Sequence, residues 1–458
     1  MIRLFNVYYS TRTVIRVLGE VPIVAGSFLI AAFFLSGPEP SIPLLYENGL
    51  LKIVTLTVFT LLLTYYFDLY EPQHISGGWE IYFRMLLVLS ALSFVLAALL
   101  YWDPEFAFGS DVFVVGVAIL AVTLLIWRSI YEWVCNLPAL RERVYVLGRG
   151  NRADSLIEML RKRRDAGMEV ISRDSLAIPL EDHAGSFSAE LRALSSLNTR
   201  VDRVIVAIDE RRGSMPLHEL LGLRYKGFLI DDANTLIERL EGKLPLDGLM
   251  PSSLIFTDGF KIGTGKLFAR RLVSFGVSLT ALLLCLPFIP IIMLAVWLSS
   301  PGPIFFRQTR VGRHGRTFSV IKFRTMREDA ESDGAAWASE NDSRVTRLGK
   351  FLRRSRLDEI PQMWNVLKGD MGFVGPRPER PEFVEWLSKE IPFYELRHMV
   401  RPGITGWAQV RYHYGASLEE AKRKLEYDLY YVKRLSLGLD LLIMFETIKT
   451  IMLGRGAR

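Results

Sequence analysis

The sequence predicts a membrane protein in three parts: a four-helix transmembrane bundle, a cytoplasmic α/β domain of Rossmann-like type, and a mainly α domain that opens on a Pro-broken, re-entrant membrane helix. Three observations predict it. Half of the 458 residues are hydrophobic although 23% are charged, and mean hydropathy is +0.22, so the apolar residues are concentrated in membrane segments. From Glu142 the apolar runs shorten to strand length and alternate with helical patterns. An uncharged run, Leu272 to Leu298, then carries prolines near its middle. The expected boundaries are 1–135, 142–258 and 261–458.

Charge and cysteine usage narrow the partners. A net charge of +7 fits an anionic one, whether lipid, nucleotide or nucleic acid. Cys135 and Cys285 both sit in apolar surroundings with no Cys/His spacing around them, which excludes a disulfide framework and a zinc site.

Taken in order, the first ten residues are polar and aromatic and no small-residue cleavage site follows a short apolar run, so no cleavable signal peptide is expected. Four stretches are long enough to span: Val14 to Leu35, Leu50 to Tyr66, Ile81 to Tyr101 and Val112 to Trp127. Arg3 and Arg12 precede the first and Arg16 lies at its start, and Arg128, Arg141 and Arg143 follow the fourth, whereas the loops with Glu39, Glu47, Asp103 and Glu105 are acidic. Both ends of the bundle are therefore expected in the cytoplasm. No charge that would suggest transport is expected in the interior of the spans; Glu20, Lys52 and Arg84 stand near segment edges.

Val144 to Gly148, Val201 to Asp209 and Gly227 to Asp231 read as buried strands, with a helix over Asp154 to Arg164. The turn Gly148-Arg-Gly-Asn-Arg-Ala153 has the GxGxxA form of a pyrophosphate cradle. Asn151 and Arg152 crowd it, and no ribose-binding acid follows the next strand. Gly-rich first turns occur in such sheets without any cofactor.

The run from Leu272 to Leu298 is long enough to cross a bilayer at 1.5 Å per residue. Its flanks carry Lys261, Lys266, Arg270 and Arg271 on one side and Arg307, Arg310, Arg313 and Arg316 on the other. Both ends are expected on one face. Pro287, followed by Pro290, removes an N–H and bends the helix, so the segment enters one leaflet and returns; a kinked fifth span is the alternative.

Ile304 to Ile360 holds thirteen Lys and Arg against eight Asp and Glu. Beside a membrane-dipping helix, aromatics alternating with Arg read as a surface for anionic lipid headgroups in preference to nucleic acid. The segment ends at Asp358 and Glu359, which follow a knot of arginines and precede Pro361, a residue suited to a first helical position. An ionised Asp beside a second acid and several Arg has the parts for phosphoryl transfer: a nucleophile, a carboxylate able to hold Mg²⁺, and cations for phosphate oxygens. Acidic residues before a helix are also ordinary start signals. Two Gly/Pro loops follow, Gly369 to Pro378 with Arg377 and Arg401 to Gly406; such loops either approach phosphate closely or serve as rigid turns. In the tail, Leu418, Ala421, Leu425, Leu429 and Val432 form one helical face, and Leu437 to Leu453 is interrupted by Asp440, Glu446 and Lys449. Both helices are expected to pack on the core or lie in the interface.

With these residues in view, Lys266 to Met452 resembles the bacterial sugar transferases, the polyprenyl-phosphate hexose-1-phosphate transferases. The resemblance rests on the Pro-broken helix, SPGPIFFRQTRVG (Ser300 to Gly312), KFRTM (Lys322 to Met326), LDEIPQ (Leu357 to Gln362), GPRPE with Arg377 and RPGITGWAQV from Arg401. Gly372 stands where many members carry Ser. With the four spans and the Rossmann-like domain, the chain is similar to the large members that prime exopolysaccharide, capsule or O-antigen synthesis. The resemblance implies a phosphoglycosyl transferase of the bacterial inner membrane, with its catalytic domain on the cytoplasmic face. Asp358 would attack the β-phosphorus of a UDP-hexose, glucose or galactose, expelling UMP and forming an aspartyl-phosphosugar that polyprenyl (undecaprenyl) phosphate then accepts. Glu359 would hold Mg²⁺. Lys322, Arg324, Arg377 and Arg401 would clamp phosphates. The resemblance also implies a homodimer.

Two other functions compete. A membrane-bound nucleotide-sugar dehydratase needs a Tyr-x-x-x-Lys pair, and none occurs. An inactive scaffold that recruits a partner through the Rossmann-like domain would have no use for Asp358, Glu359 and the Arg-bearing loops.

Overall fold

The computed structural model describes residues 1–35, 48–71, 78–103, 110–172, 187–196, 201–209, 215–249, 251–256, 259–260, 263–327, 342, 344–412 and 417–453. Glu39, Glu47, Glu105 and Lys261, used above for orientation, lie outside the described residues. The chain divides into two units: Met1–Ile2 with Tyr9–Ala233, and Arg3–Tyr8 with Asn234–Arg458. The N-terminus forms a hairpin of β1 (Ile2–Leu4) and β2 (Val7–Tyr9).

The first unit holds four long apolar helices, α1 (Thr11–Leu35), α2 (Gly49–Tyr66), α3 (Gly78–Trp102) and α4 (Ser110–Cys135). Each is long and apolar enough to cross a membrane. They bury a shared core of Val24, Phe28, Leu56, Val88, Leu92, Leu120 and Leu124, while Phe33, Phe34, Leu51 and Phe94 are exposed, as lipid-facing residues are. One expectation is corrected. The fourth helix continues past Trp127 to Cys135, so Arg128 lies inside it and is not a flank. Glu20 is buried within α1, where Arg128 Nε donates to its Oε1 at 3.0 Å and Tyr70 Oη to its Oε2 at 2.5 Å. Lys52 and Asp68 are also buried. Burial of Glu20 is tolerated because Arg128 and Tyr70 are hydrogen-bonded to it.

The α/β part is a parallel sheet in the order β4-β3-β5-β6, formed by β3 (Glu142–Leu147), β4 (Met168–Val170), β5 (Arg203–Val206) and β6 (Leu229–Asp232). Helices α5 (Asn151–Lys162), α6 (Phe187–Ser196) and α7 (Leu217–Tyr225) alternate with the strands. The central strands are near-continuous apolar runs because a parallel sheet is covered on both faces; β4, three residues with a central Glu169, carries no such signal. At the GxGxxA turn a Cβ on Gly148 would stand 2.4 Å from Ala207 O, so this glycine serves the close approach of two backbones. Arg149 is drawn to Glu190 at 3.0 Å and Arg152 to Ile208 O at 3.3 Å.

From Asn234 the second unit holds α8 (Ala233–Glu241), whose Glu238 pairs with Lys433 and Arg434. The long apolar run is broken as expected: α9 (Thr264–Cys285) ends, Leu286-Pro287-Phe288 turns, and α10 (Ile289–Ser299) follows with Pro290 in its first turn. The start of α9 is fixed by Arg270, which pairs with Asp440 at 2.5 Å, and by Arg271, which donates to Leu367 O at 2.7 Å. On α10, Ile292 and Val296 pack against Phe323, Leu352 and Ile360. Both ends of the helix pair are thus held by one folded unit, while Leu272, Leu284, Ile291, Trp297 and Leu298 are exposed.

An antiparallel hairpin, β7 (Phe305–Val311) and β8 (Thr317–Phe323), pairs Phe306 with Lys322. After it come α11 (Arg347–Arg354), α12 (Gln362–Lys368), β9 (Gly372–Val374), α13 (Pro381–Glu390), β10 (Gly403–Thr405), α14 (Trp407–Arg411), α15 (Leu418–Lys433) and α16 (Leu437–Met452). Strands β9 and β10 pair in parallel, Gly372 with Gly403 and Val374 with Thr405. Helix α15 buries Leu425, Leu429 and Val432 and leaves Leu418 exposed. Helix α16 turns Asp440, Glu446 and Lys449 inward and exposes Leu441, Ile448, Ile451 and Met452, which accounts for polar residues interrupting an apolar sequence.

Candidate active site

The site grows out of the hairpin and the turn after α11. Phe323 anchors the end of β8: it is buried, stacks on Phe305 with ring centroids 5.5 Å apart, and packs with Val296 of α10. One residue earlier on the pleat, the Lys322 side chain reaches Glu359, with Nζ 3.1 Å from Oε1. After α11 the chain passes through Arg356 in the left-handed region, φ 59°, a conformation costing a non-glycine residue about 1 kcal/mol or more. That kink starts a 3-10 turn, Leu357–Glu359, which continues through Ile360 and Pro361 into α12. Asp358 and Glu359 therefore lie in a turn just outside the N-terminus of α12, as the sequence predicts.

Three cations converge on one oxygen of Glu359. Lys322 Nζ is at 3.1 Å, Arg377 Nη2 at 3.0 Å and Arg356 Nη1 at 3.9 Å from Oε1. Burial alone would raise the Glu359 carboxyl, but Lys322, then Arg377 and Arg356, outweigh it and hold the group well below the usual carboxylate range. Asp358 behaves oppositely. Burial, then the charge of Glu359, raises its pKa against the opposing pull of Lys322, Arg377 and Arg353. Asp358 is 6% exposed, and its buried Oδ1 accepts no hydrogen bond among the described residues. An oxygen so placed is unusually basic for a carboxylate and has no partner to give up before attacking.

Arg377 is delivered by the two Gly/Pro loops. Gly372 N donates to Pro402 O, Gly375 N to Thr405 O, and Gly403 N to Pro376 O, at 2.8, 2.9 and 3.0 Å. A Cβ on Gly375 would lie 2.3 Å from Arg401 O, and one on Gly403 2.1 Å from Gly375 N. The glycines let the loops press together, and these N–H groups are spent on each other. The loops are rigid turns that present a guanidinium.

Of the four cations expected to clamp phosphate, Lys322 and Arg377 meet the acidic pair. Arg324 instead donates through Nη2 to Ser300 O at 2.5 Å, just beyond α10. Arg401 lies among arginines; burial, then Arg271, Arg313 and Arg270, lowers its pKa. Two further cations beside the pair, Arg353 and Arg356, belong to the arginine knot, from which the sequence singles neither out; Arg353 Nε donates to Thr325 Oγ1 at 2.9 Å. Their spacing of five and two residues before Asp358 is a signal only once the turn at Arg356 is known.

The acidic groups present fit Mg²⁺ held jointly with a substrate. Among the described residues no cluster of three or more His, Cys, Asp and Glu could hold a metal. Mg²⁺ commonly binds through one or two carboxylates plus substrate phosphates, and Glu359 beside the unpaired Oδ1 of Asp358 supplies that minimum.

Comparison with known proteins identifies the family. The bacterial sugar transferase family matches residues 265–454, which take in the helix pair, the hairpin, Asp358, Glu359 and both loops. The chain is 32% identical over 443 residues to UDP-glucose:undecaprenyl-phosphate glucose-1-phosphate transferase of Escherichia coli (strain K12), covering 92% of each chain. It is 33% identical over 422 residues to the Klebsiella pneumoniae protein of that name, covering 87% of each. To UDP-N-acetylgalactosamine-undecaprenyl-phosphate N-acetylgalactosaminephosphotransferase of Aeromonas hydrophila it is 45% identical over 228 residues, 48% of this chain and only about half, 52%, of that protein. Likeness over nearly the full length of two such proteins places the chain in the bacterial sugar transferase family of enzymes.

Proposed function

We propose that the enzyme transfers a hexose-1-phosphate from a UDP-hexose, glucose or galactose, to undecaprenyl phosphate, releasing UMP and initiating assembly of an exopolysaccharide, capsule or O-antigen repeat unit. The observation that carries this reading is the division of labour in the acidic pair: Glu359 gathers the cations and Asp358 keeps an unpaired oxygen. An Asp358 Oδ attacks the β-phosphorus. The bond from that phosphorus to the bridging oxygen breaks, UMP departs with the electron pair, and no proton need move. An oxygen of the lipid phosphate then attacks the same phosphorus and Asp358 leaves as a carboxylate. Lys322 and Arg377 orient the donor's phosphate oxygens and offset their charge, and Arg353 and Arg356 keep the surroundings electropositive. Mg²⁺ held by Glu359 and the diphosphate would supply further neutralisation of charge on the breaking anhydride.

The helix pair α9–α10 is read as re-entrant, with the site on the cytoplasmic face of the inner membrane and the enzyme as a homodimer. The anchoring of both ends of the pair to one unit supports the re-entrant reading, and so do the basic flanks. The site would then stand at the headgroup level, where a soluble donor and a lipid acceptor meet. The test is UMP release by the purified full chain in lipid with Mg²⁺, undecaprenyl phosphate and a panel of UDP-hexoses including UDP-N-acetylgalactosamine. One or two donors should give UMP and Asp358→Ala should not; no release with any donor from folded protein would favour the scaffold.

A further inference from the structure

Among the described residues Arg324 is a buried charge with two unpartnered nitrogens. The residue is 7% exposed. Its Nη2 donates to Ser300 O, but Nε and Nη1 are buried and have no hydrogen-bond partner among the described residues. No carboxylate pairs with it there. A buried guanidinium left this way forfeits hydrogen bonds to a charged group, and an incoming anion relieves the deficit.

Its position says which anion. Arg324 N bonds to Ile304 O at 2.9 Å, extending the β7–β8 pairing by one residue, so Arg324 follows Lys322 by two positions along an extended backbone. The two backbone positions are about 7 Å apart and their side chains leave on the same face. Lys322 reaches Glu359; Arg324 reaches Ser300, where the exposed apolar helix α10 ends. Between them Phe323 packs on Ile360, two residues beyond Asp358. One strand therefore offers a cation at the acidic pair and a second cation at the end of the lipid-facing helix. In-line displacement brings the lipid phosphate to the face of phosphorus opposite Asp358, the face that UMP has left, and the lipid reaches that face from the side of the apolar helix, where Arg324 stands.

Resting on the transfer reaction given above, we propose that Arg324 is the positioning residue for the acceptor: its unpaired N–H groups hold the terminal phosphate monoester of the polyprenyl lipid, while Lys322 and Arg377 serve the nucleotide-sugar. The test measures both Michaelis constants for the full chain in phosphatidylcholine vesicles, varying undecaprenyl phosphate and the UDP-hexose separately. Arg324→Gln should raise KM for undecaprenyl phosphate about tenfold or more and leave KM for the donor within about twofold. Arg324→Lys, which keeps the charge without the fork, should fall between, and it carries the test if the Gln variant does not fold. A rise in donor KM, or a fall in kcat with both constants unmoved, would overturn the assignment. So would an effect appearing only when phosphatidylglycerol is added, because Arg324 would then bind bulk headgroups. Wild type that releases no UMP would defeat the transfer reaction itself, a result distinct from any of these.

Discussion

Two buried ionic clusters in this chain solve opposite problems. In the helical bundle, Glu20 has a partner on each oxygen, Arg128 on Oε1 and Tyr70 on Oε2. In the second unit, three cations crowd one oxygen of Glu359 while Asp358 Oδ1 and two nitrogens of Arg324 have no hydrogen-bond partner among the described residues. A saturated cluster gains nothing from a ligand and acts as a fastener between α1 and α4. An unsaturated one bears the cost of unmade hydrogen bonds until a substrate arrives, and that deficit becomes binding and transition-state interaction. Buried charge alone does not distinguish structure from function; the distribution of partners does.

The comparison can be broken at several points. The largest effect is expected at Asp358. Asp358→Asn should lower UMP release by at least about a thousandfold with thermal stability unchanged or raised, since it removes an unpaired buried acid. Glu20→Gln should do the reverse. Breaking a buried pair on one side costs about 3–5 kcal/mol, read as a lower denaturation midpoint, with the donor's KM unmoved; Glu20→Gln with Arg128→Met should recover much of that loss. Equal loss from the double and the single variants would show that Glu20 does more than fasten.

The next effect is on pH dependence. Asp358 must be ionised to attack. Burial and Glu359 raise its pKa, and Lys322 is the first of the groups that pull it back down. Lys322→Met should therefore move the acid limb of single-turnover UMP release to higher pH, besides lowering the rate. A limb that stays in place would remove Lys322 from the electrostatics of the nucleophile. The smallest effect is at His398, whose pKa burial, then Arg397, depresses to about 4. Between about 6.5 and 4 the unfolded chain takes up a proton that the folded chain refuses, so stability falls as pH drops through that window. His398→Phe should flatten that slope in denaturation midpoints.

Much of this was legible in the residues because period and charge are local signals. The four long apolar helices, the break at Pro287 and the central strands follow from them, whereas Lys322 and Arg377 are singled out by the family resemblance. What escaped depends on distant contacts. Arg128 looked like a flank because the polar stretch Ser129-Ile-Tyr-Glu132 hides a helix that continues on tertiary support. The glycines of both kinds of loop look like phosphate cradles, yet at Gly148, Gly375 and Gly403 they admit a neighbouring backbone. Strand β4 has only three residues and no alternation to read. Arg324, Arg377 and Arg401 carry the same charge in similar motifs, and only packing sends them to three different places.

The most direct test of the central claim is to mix the full chain in lipid with the UDP-hexose that yields UMP, omit the acceptor, quench, and map the protein by peptide mass spectrometry. The account predicts one hexose-phosphate adduct on the peptide containing Asp358, absent in Asp358→Asn and discharged by undecaprenyl phosphate. Turnover with no adduct under any quench, or an adduct on Glu359, would contradict the assignment of Asp358 as nucleophile.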